Sequence, residues 1–170
     1  MLSPIEELKI QSKKLLKSIR TDTSEPQVKS FQKYISGKKS GNPIQLKHCQ
    51  NYIAQHYGFD DWLHARRVLE CENQQLLQDY GTFWYSSRCS SLLNHWCNTY
   101  REALELLNQH GGFLLPYKNQ FIVVENNFLE ALGMPGCEEL WHALANNWCQ
   151  GDSDIRRQLA FKRVSVKRTQ

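Results

Sequence analysis

A mainly α fold is predicted for this chain: a helical bundle with a helix-turn-helix-like pair, followed by a second helical part containing one β-hairpin. Three observations carry that prediction. Apolar residues recur at intervals of three and four through most of the 170 residues, which is the repeat of an amphipathic helix. Only one stretch, FLLPYKNQFIVV from Phe113 to Val124, reads as good strand. The 41% apolar content, with five Trp and seven Tyr, is enough for a core in a chain of this length.

The first helix opens at SPIE, Ser3 to Glu6. Ser3 caps the backbone three residues on, Glu6 reaches back, and Pro4 takes the tolerated first position. Ile5, Leu8, Leu15, Leu16 and Ile19 form its apolar stripe, while Lys9, Lys13, Lys17 and Arg20 form a basic one. A second helix is expected from Pro26 to Ser36, ended by Gly37 and followed by a basic loop, GKKSGNP. In the next segment Leu46, Cys49, Ile53 and Tyr57 share one face; after Gly58, Phe59, Trp62, Ala65 and Leu69 share another. Two helices around a tight bend follow, and with them a four-helix module over residues 1–79.

Residues 80–170 form the second part. Leu92, Leu93, Trp96, Tyr100, Ala103 and Leu107 have the spacing of one long helix stopped by Gly111 and Gly112. The hairpin of residues 113–124 has Lys118 and Asn119 at its tip, and Pro116 assigns its first strand to an edge. Short helices are expected from Asn127 to Leu132 and from Glu138 to Trp148, then one capped by Asp152 or Ser153 running through Ile155 and Leu159. FKRVSVKRTQ reads as a basic tail with little to bury.

Six cysteines are widely spaced in a helical pattern without an export signal, so buried, reduced thiols are expected rather than disulfides. For zinc the best grouping is HWC, His95 to Cys97, and on a helix residues two apart diverge. No metal and no cofactor is expected. No apolar run approaches the roughly 18 residues of a membrane span, and acidic residues stand where a signal peptide has its apolar region. The reading is a cytoplasmic protein with no membrane partner.

The net charge of +4 is unevenly spread: residues 1–70 carry +5, residues 71–150 carry −5 and residues 151–170 carry +4. Basic ends suit a polyanion. Lys9, Lys13, Lys17, Arg20, Lys38, Lys39, Arg156, Arg157, Lys162 and Arg163 are the candidate phosphate-contacting residues, with Lys167 and Arg168 beside them. The bend at AQHYG, Ala54 to Gly58, has the spacing of a DNA-reading motif, but the following helix opens on Asp60 and Asp61. Carboxylates there favour the helix dipole and repel phosphates.

ELKIQSKKLLKSIR, Glu7 to Arg20, followed by LKHCQNYIAQHYGFDDWLHA, Leu46 to Ala65, resembles a small helical module found at the ends of glyoxalase-like proteins and in proteins of integrative and conjugative elements. His48, Ile53, Ala54, Gly58, Phe59 and Trp62 match that module, whereas Gln50 to Tyr52 departs from it. The resemblance spans about the first 70 residues and implies a four-helix module in a mobile-element or accessory context, without glyoxalase activity. The expected function is that of a non-enzymatic accessory or regulatory protein binding DNA or RNA through phosphate contacts. The alternative is an adaptor or inhibitor that binds a protein through the hairpin edge or the acidic middle surface. A small toxin-like ribonuclease has only His110, Tyr117, Lys118 and Glu125 to draw on, and no catalytic residue is assigned.

Overall fold

The computed structural model describes residues 2–21, 24–38, 41–72 and 75–168. At its start Glu6 N–H donates to Ser3 Oγ at 3.2 Å and Ser3 N–H donates to Glu6 Oε2 at 2.7 Å, so the predicted capping box nucleates α1, Pro4–Thr21. Leu8 and Leu15 are fully buried beneath it. The helices α2, Pro26–Ser36, α3, Leu46–His56, and α4, Trp62–Leu69, follow, and α1 packs against all three. A last helix, α8, Ser153–Arg168, also lies on α1. Leu2 and Ser3 border Asp154 and Gln158 at one end. Further along, the Tyr57 hydroxyl is within hydrogen-bond distance of Gln11 Oε1 and Val164 O, so α1 and α8 run in the same direction.

That arrangement corrects the basic tail. Arg163 and Val164 are buried, and residues 161–168 continue α8, because docking on α1 covers a face that the short apolar pattern did not advertise. It also ties the end of the chain to the N-terminal module. One hydrophobic cluster runs from Ile5 to Val164 across both parts.

The second part departs from its expected course between Leu92 and Asn98. A strand, β1, His95–Cys97, replaces the first turns of the expected long helix, and α5 spans only Tyr100–His110. Thr99 caps α5, accepting from Glu102 N–H at 3.2 Å while Glu102 Oε2 accepts from Thr99 N–H. Helix therefore starts at this capping box, and the residues before it are free to pair. β1 lies antiparallel to β3, Gln120–Val124, which pairs on its other side with β2, Phe113–Tyr117, giving the order β1-β3-β2. The hairpin and its Lys118–Asn119 turn are as expected. α6, Asn126–Ala131, and α7, Glu138–Ala143, complete the element order. α7 stops short of Trp148 because Ala145 and Asn146 adopt positive φ, which breaks the helical path. Trp148 is nonetheless buried, edge-on to Trp84 with ring centres 5.1 Å apart.

The bend at Gly58 holds the parts together. Gly58 has φ of +92°, and Phe59 N–H donates to Ala54 O at 3.1 Å, closing α3 in the manner of a glycine C-cap. The chain then returns across this bend. Thr82 N–H donates to Gly58 O at 2.8 Å, and a Cβ on Gly58 would lie 2.4 Å from Thr82 Oγ1. On the same short stretch Lys118 N–H donates to Gly81 O at 2.7 Å and Tyr80 N–H donates to Lys118 O at 3.0 Å. Gly58→Ala combines a strained φ with a clash against the Thr82 hydroxyl and tight contact with the Thr82–Phe83 backbone, a loss of about 3 kcal/mol that lowers Tm by roughly 10 °C. Gly41→Ala, with nothing among the described residues within 4 Å of the added carbon, serves as the control and leaves the melt unchanged in thermal circular dichroism.

Candidate functional site

The helical period of α1 puts Lys9, Lys13, Lys17 and Arg20 in one row. All four are exposed. The opposite face carries Leu8, Ser12 and Leu15 into the core, so burial of that face obliges the basic one to face solvent. No ion pair links these four to a carboxylate among the described residues. From Lys9 to Arg20 the row extends ~16 Å along the helix.

The other predicted phosphate contacts do not join this row. Arg156 and Arg163 are only 4% and 2% exposed. Arg163 Nη1–H donates to Leu132 O at 2.8 Å, and burial pulls its guanidinium below the ordinary arginine value. Arg156 Nε–H donates to Trp148 O at 2.7 Å, its guanidinium 4.9 Å from the Trp148 ring centre. Both are interior cross-links between α8 and the rest of the second part, and neither can reach a phosphate. Arg157 is engaged on the surface with Asp154 and donates from Nη1 to Glu70 O. Lys38 folds back on α2, donating to the Tyr34 hydroxyl at 2.6 Å. Lys162 is exposed beside Met134 and Cys137, on the side of α8 that meets the rest of the second part. Lys39 lies outside the described residues.

Lys167, expected beside the phosphate contacts, is turned to the interior instead. Its ammonium sits 5.3 Å from the centre of the Tyr57 ring, and burial, with Arg163 nearby, pulls it down to about 8.

The four residues of the ribonuclease alternative are divided by the hairpin. Glu125 and His110 border a small hollow at its open end, where His95 stacks near His110 with ring centres 6.4 Å apart. Tyr117 and Lys118 stand at the turn, about 13 Å away along the strands. His95, which the sequence reading considered only for metal, is the group that joins His110. As strand residues His95 and Cys97 share a face, unlike the helical placement expected, yet no group of three metal-ligating side chains forms among the described residues. All six cysteines are free and buried, and burial pushes the Cys49 and Cys71 thiols up to about 11.

The hairpin edge expected to receive a protein is partly occupied. Leu114 N–H donates to Asn146 O, and Trp148 N–H donates to Leu114 O, so the chain itself covers the outer side of β2. The other edge of the sheet is β1, where Trp96 is half exposed and packs edge-on to Tyr117. No helix among the described residues is long and apolar enough to cross a membrane. Comparison with protein-family models, curated proteins and solved structures finds no match to this chain.

Two outcomes follow from the basic residues of α8. Arg163→Ala removes a buried donor and leaves the Leu132 carbonyl without it, costing about 3 kcal/mol; chemical denaturation measures the loss. For Lys167, between about pH 8 and the ordinary lysine value of 10.5 the unfolded chain holds a proton that the folded chain has released. Stability from this group therefore rises with pH across that window. Lys167→Met melts above the wild type at pH 7, and its advantage fades as pH approaches 10.5.

Proposed function

We propose that this chain binds nucleic acid through phosphate contacts from the exposed row of α1, and that it acts as a non-enzymatic accessory or regulatory protein of a mobile genetic element. The observation that carries the binding is the row itself. Four cations spaced at one turn repel one another, at roughly 0.2–0.5 kcal/mol per neighbouring pair, and no carboxylate of the described residues relieves them by an ion pair. A polyanion does so, with release of its counterions. The resemblance of residues 7–20 and 46–65 to the mobile-element module supplies the accessory context.

The row reads no base edges in this proposal. A straight helix presenting flexible lysines along ~16 Å suits backbone contact with either duplex or RNA, and the acidic start of α4, Asp60 and Asp61, keeps that helix away from the groove.

Titration of a labelled duplex and a labelled RNA at several salt concentrations tests this. Affinity falls linearly with salt on logarithmic axes, and Lys13→Glu with Lys17→Glu reduces the steepness by about two while weakening binding more than tenfold at low salt. Absence of binding at low salt removes the proposal.

A further inference from the structure

The bend that resembles a DNA-reading motif has a groove where a reading head would be, and its chemistry is the reverse of what DNA requires. The groove encloses about 550 Å³ between the start of α4 and the stretch Leu76–Asp79. Its rim carries three carboxylates, Asp60, Asp61 and Asp79, against one guanidinium, Arg67. Its apolar surface comes from Leu63 and Leu76, 52% and 36% exposed, two of the few large apolar side chains that the described residues leave in water. The volume lies within the range of ligand clefts, ~300–1,000 Å³.

His64 holds the two walls at a fixed separation. Its Nδ1 accepts from Asp60 N–H at 3.1 Å, which places the proton of the neutral ring on Nε2, where it donates to Asp79 O at 3.1 Å. The Asp61 carboxylate caps α4 through Oδ1, and Asp79 Oδ1 accepts from Gly81 N–H, so each is oriented by the backbone and has its second oxygen outside those bonds. Asp60 needs no such anchor: its side chain is 84% exposed, 3.4 Å from His64 Nδ1. The groove is therefore built before any partner arrives, which limits the entropy lost on binding.

We propose that this groove docks a cationic amphipathic segment of a partner protein, with an aliphatic side chain on Leu63 and Leu76 and lysines or arginines against Asp60 and Asp79. Charge complementarity selects that occupant. Three carboxylates beside one guanidinium attract a basic peptide and repel a phosphate backbone, while the two leucines demand an apolar side chain that nucleic acid does not offer. The site is separate from the α1 row and does not depend on it.

The probe is a fluorescein-labelled synthetic helical peptide of leucine and lysine, compared with versions in which glutamate replaces lysine or serine replaces leucine. Binding to the full chain is followed by fluorescence anisotropy. The leucine–lysine peptide binds, both altered peptides bind at least tenfold more weakly, and Asp60→Lys and Leu63→Ser each weaken the parent peptide about tenfold. Lys13→Glu with Lys17→Glu does not weaken it, so failure here and failure of nucleic-acid binding are read separately. Circular dichroism establishes that the variants are folded, and Leu76→Ser, outside any helix, gives the same reading if Leu63→Ser perturbs α4. Undiminished affinity for the parent peptide in both leucine variants, or no peptide binding at all, would falsify the proposal. Self-association of the chain abolished by Asp60→Lys assigns the groove to a second copy, and loss of nucleic-acid binding in Leu63→Ser assigns it to nucleic acid; either overturns it.

Discussion

The structure depends on one backbone crossing. Gly58 bends the chain between α3 and α4, and the stretch Tyr80–Thr82 comes back so close to it that a side-chain carbon on Gly81 would lie 2.3 Å from Gly58 O. The same three residues exchange two backbone hydrogen bonds with Lys118 at the hairpin turn. A helix bend in the first part and a strand turn in the second thus share one short connector. Only glycine permits this approach at both points, since each also holds a positive φ. Phe59 and Phe83 then stack across the crossing with ring centres 5.5 Å apart, and burying them excludes water from the backbone hydrogen bonds beneath.

A second link is cationic, and it joins α8, which docks on α1, to the rest of the second part. Arg156 and Arg163 project from α8 into the interior, where they donate to main-chain carbonyls of Trp148 and Leu132. Burying a guanidinium is costly, and carbonyl acceptors with an aromatic face offset part of that cost. Residues that count as charge in a sequence therefore act here as donors to loops that no secondary structure satisfies. The basic character of the C-terminal region is correspondingly smaller at the surface than its composition states.

What remains at the surface of the N-terminal module is a separation of sign. The outer face of α1 is a lysine row, while the mouth of the α3–α4 bend is an acidic groove. Each follows from the packing of its own helix. α1 turns Leu8 and Leu15 inward and so turns its lysines outward; α4 begins with acidic residues because carboxylates satisfy a helix N-terminus, and Leu63 is left outside because Ala65, Val68 and Leu69 already fill the inner face.

Local chemistry written in a few adjacent residues determined much of this molecule. The Ser3–Glu6 box, the Gly58 bend, the Lys118–Asn119 turn and the exposed row of α1 each rest on interactions within about one helical turn or one hairpin, which a sequence states directly. Tertiary structure decided the rest. Three-residue β1 exists because β3 offers it an edge, α8 extends through the supposed tail because α1 covers it, and Arg156 and Arg163 are interior because carbonyls remote in sequence receive them. The groove beside His64 also required the fold, since its second wall, Leu76 to Asp79, is brought to α4 by the crossing at Gly58. Partners far apart in the chain set these features, and a pattern of residue types along one line does not encode which distant backbone will meet them.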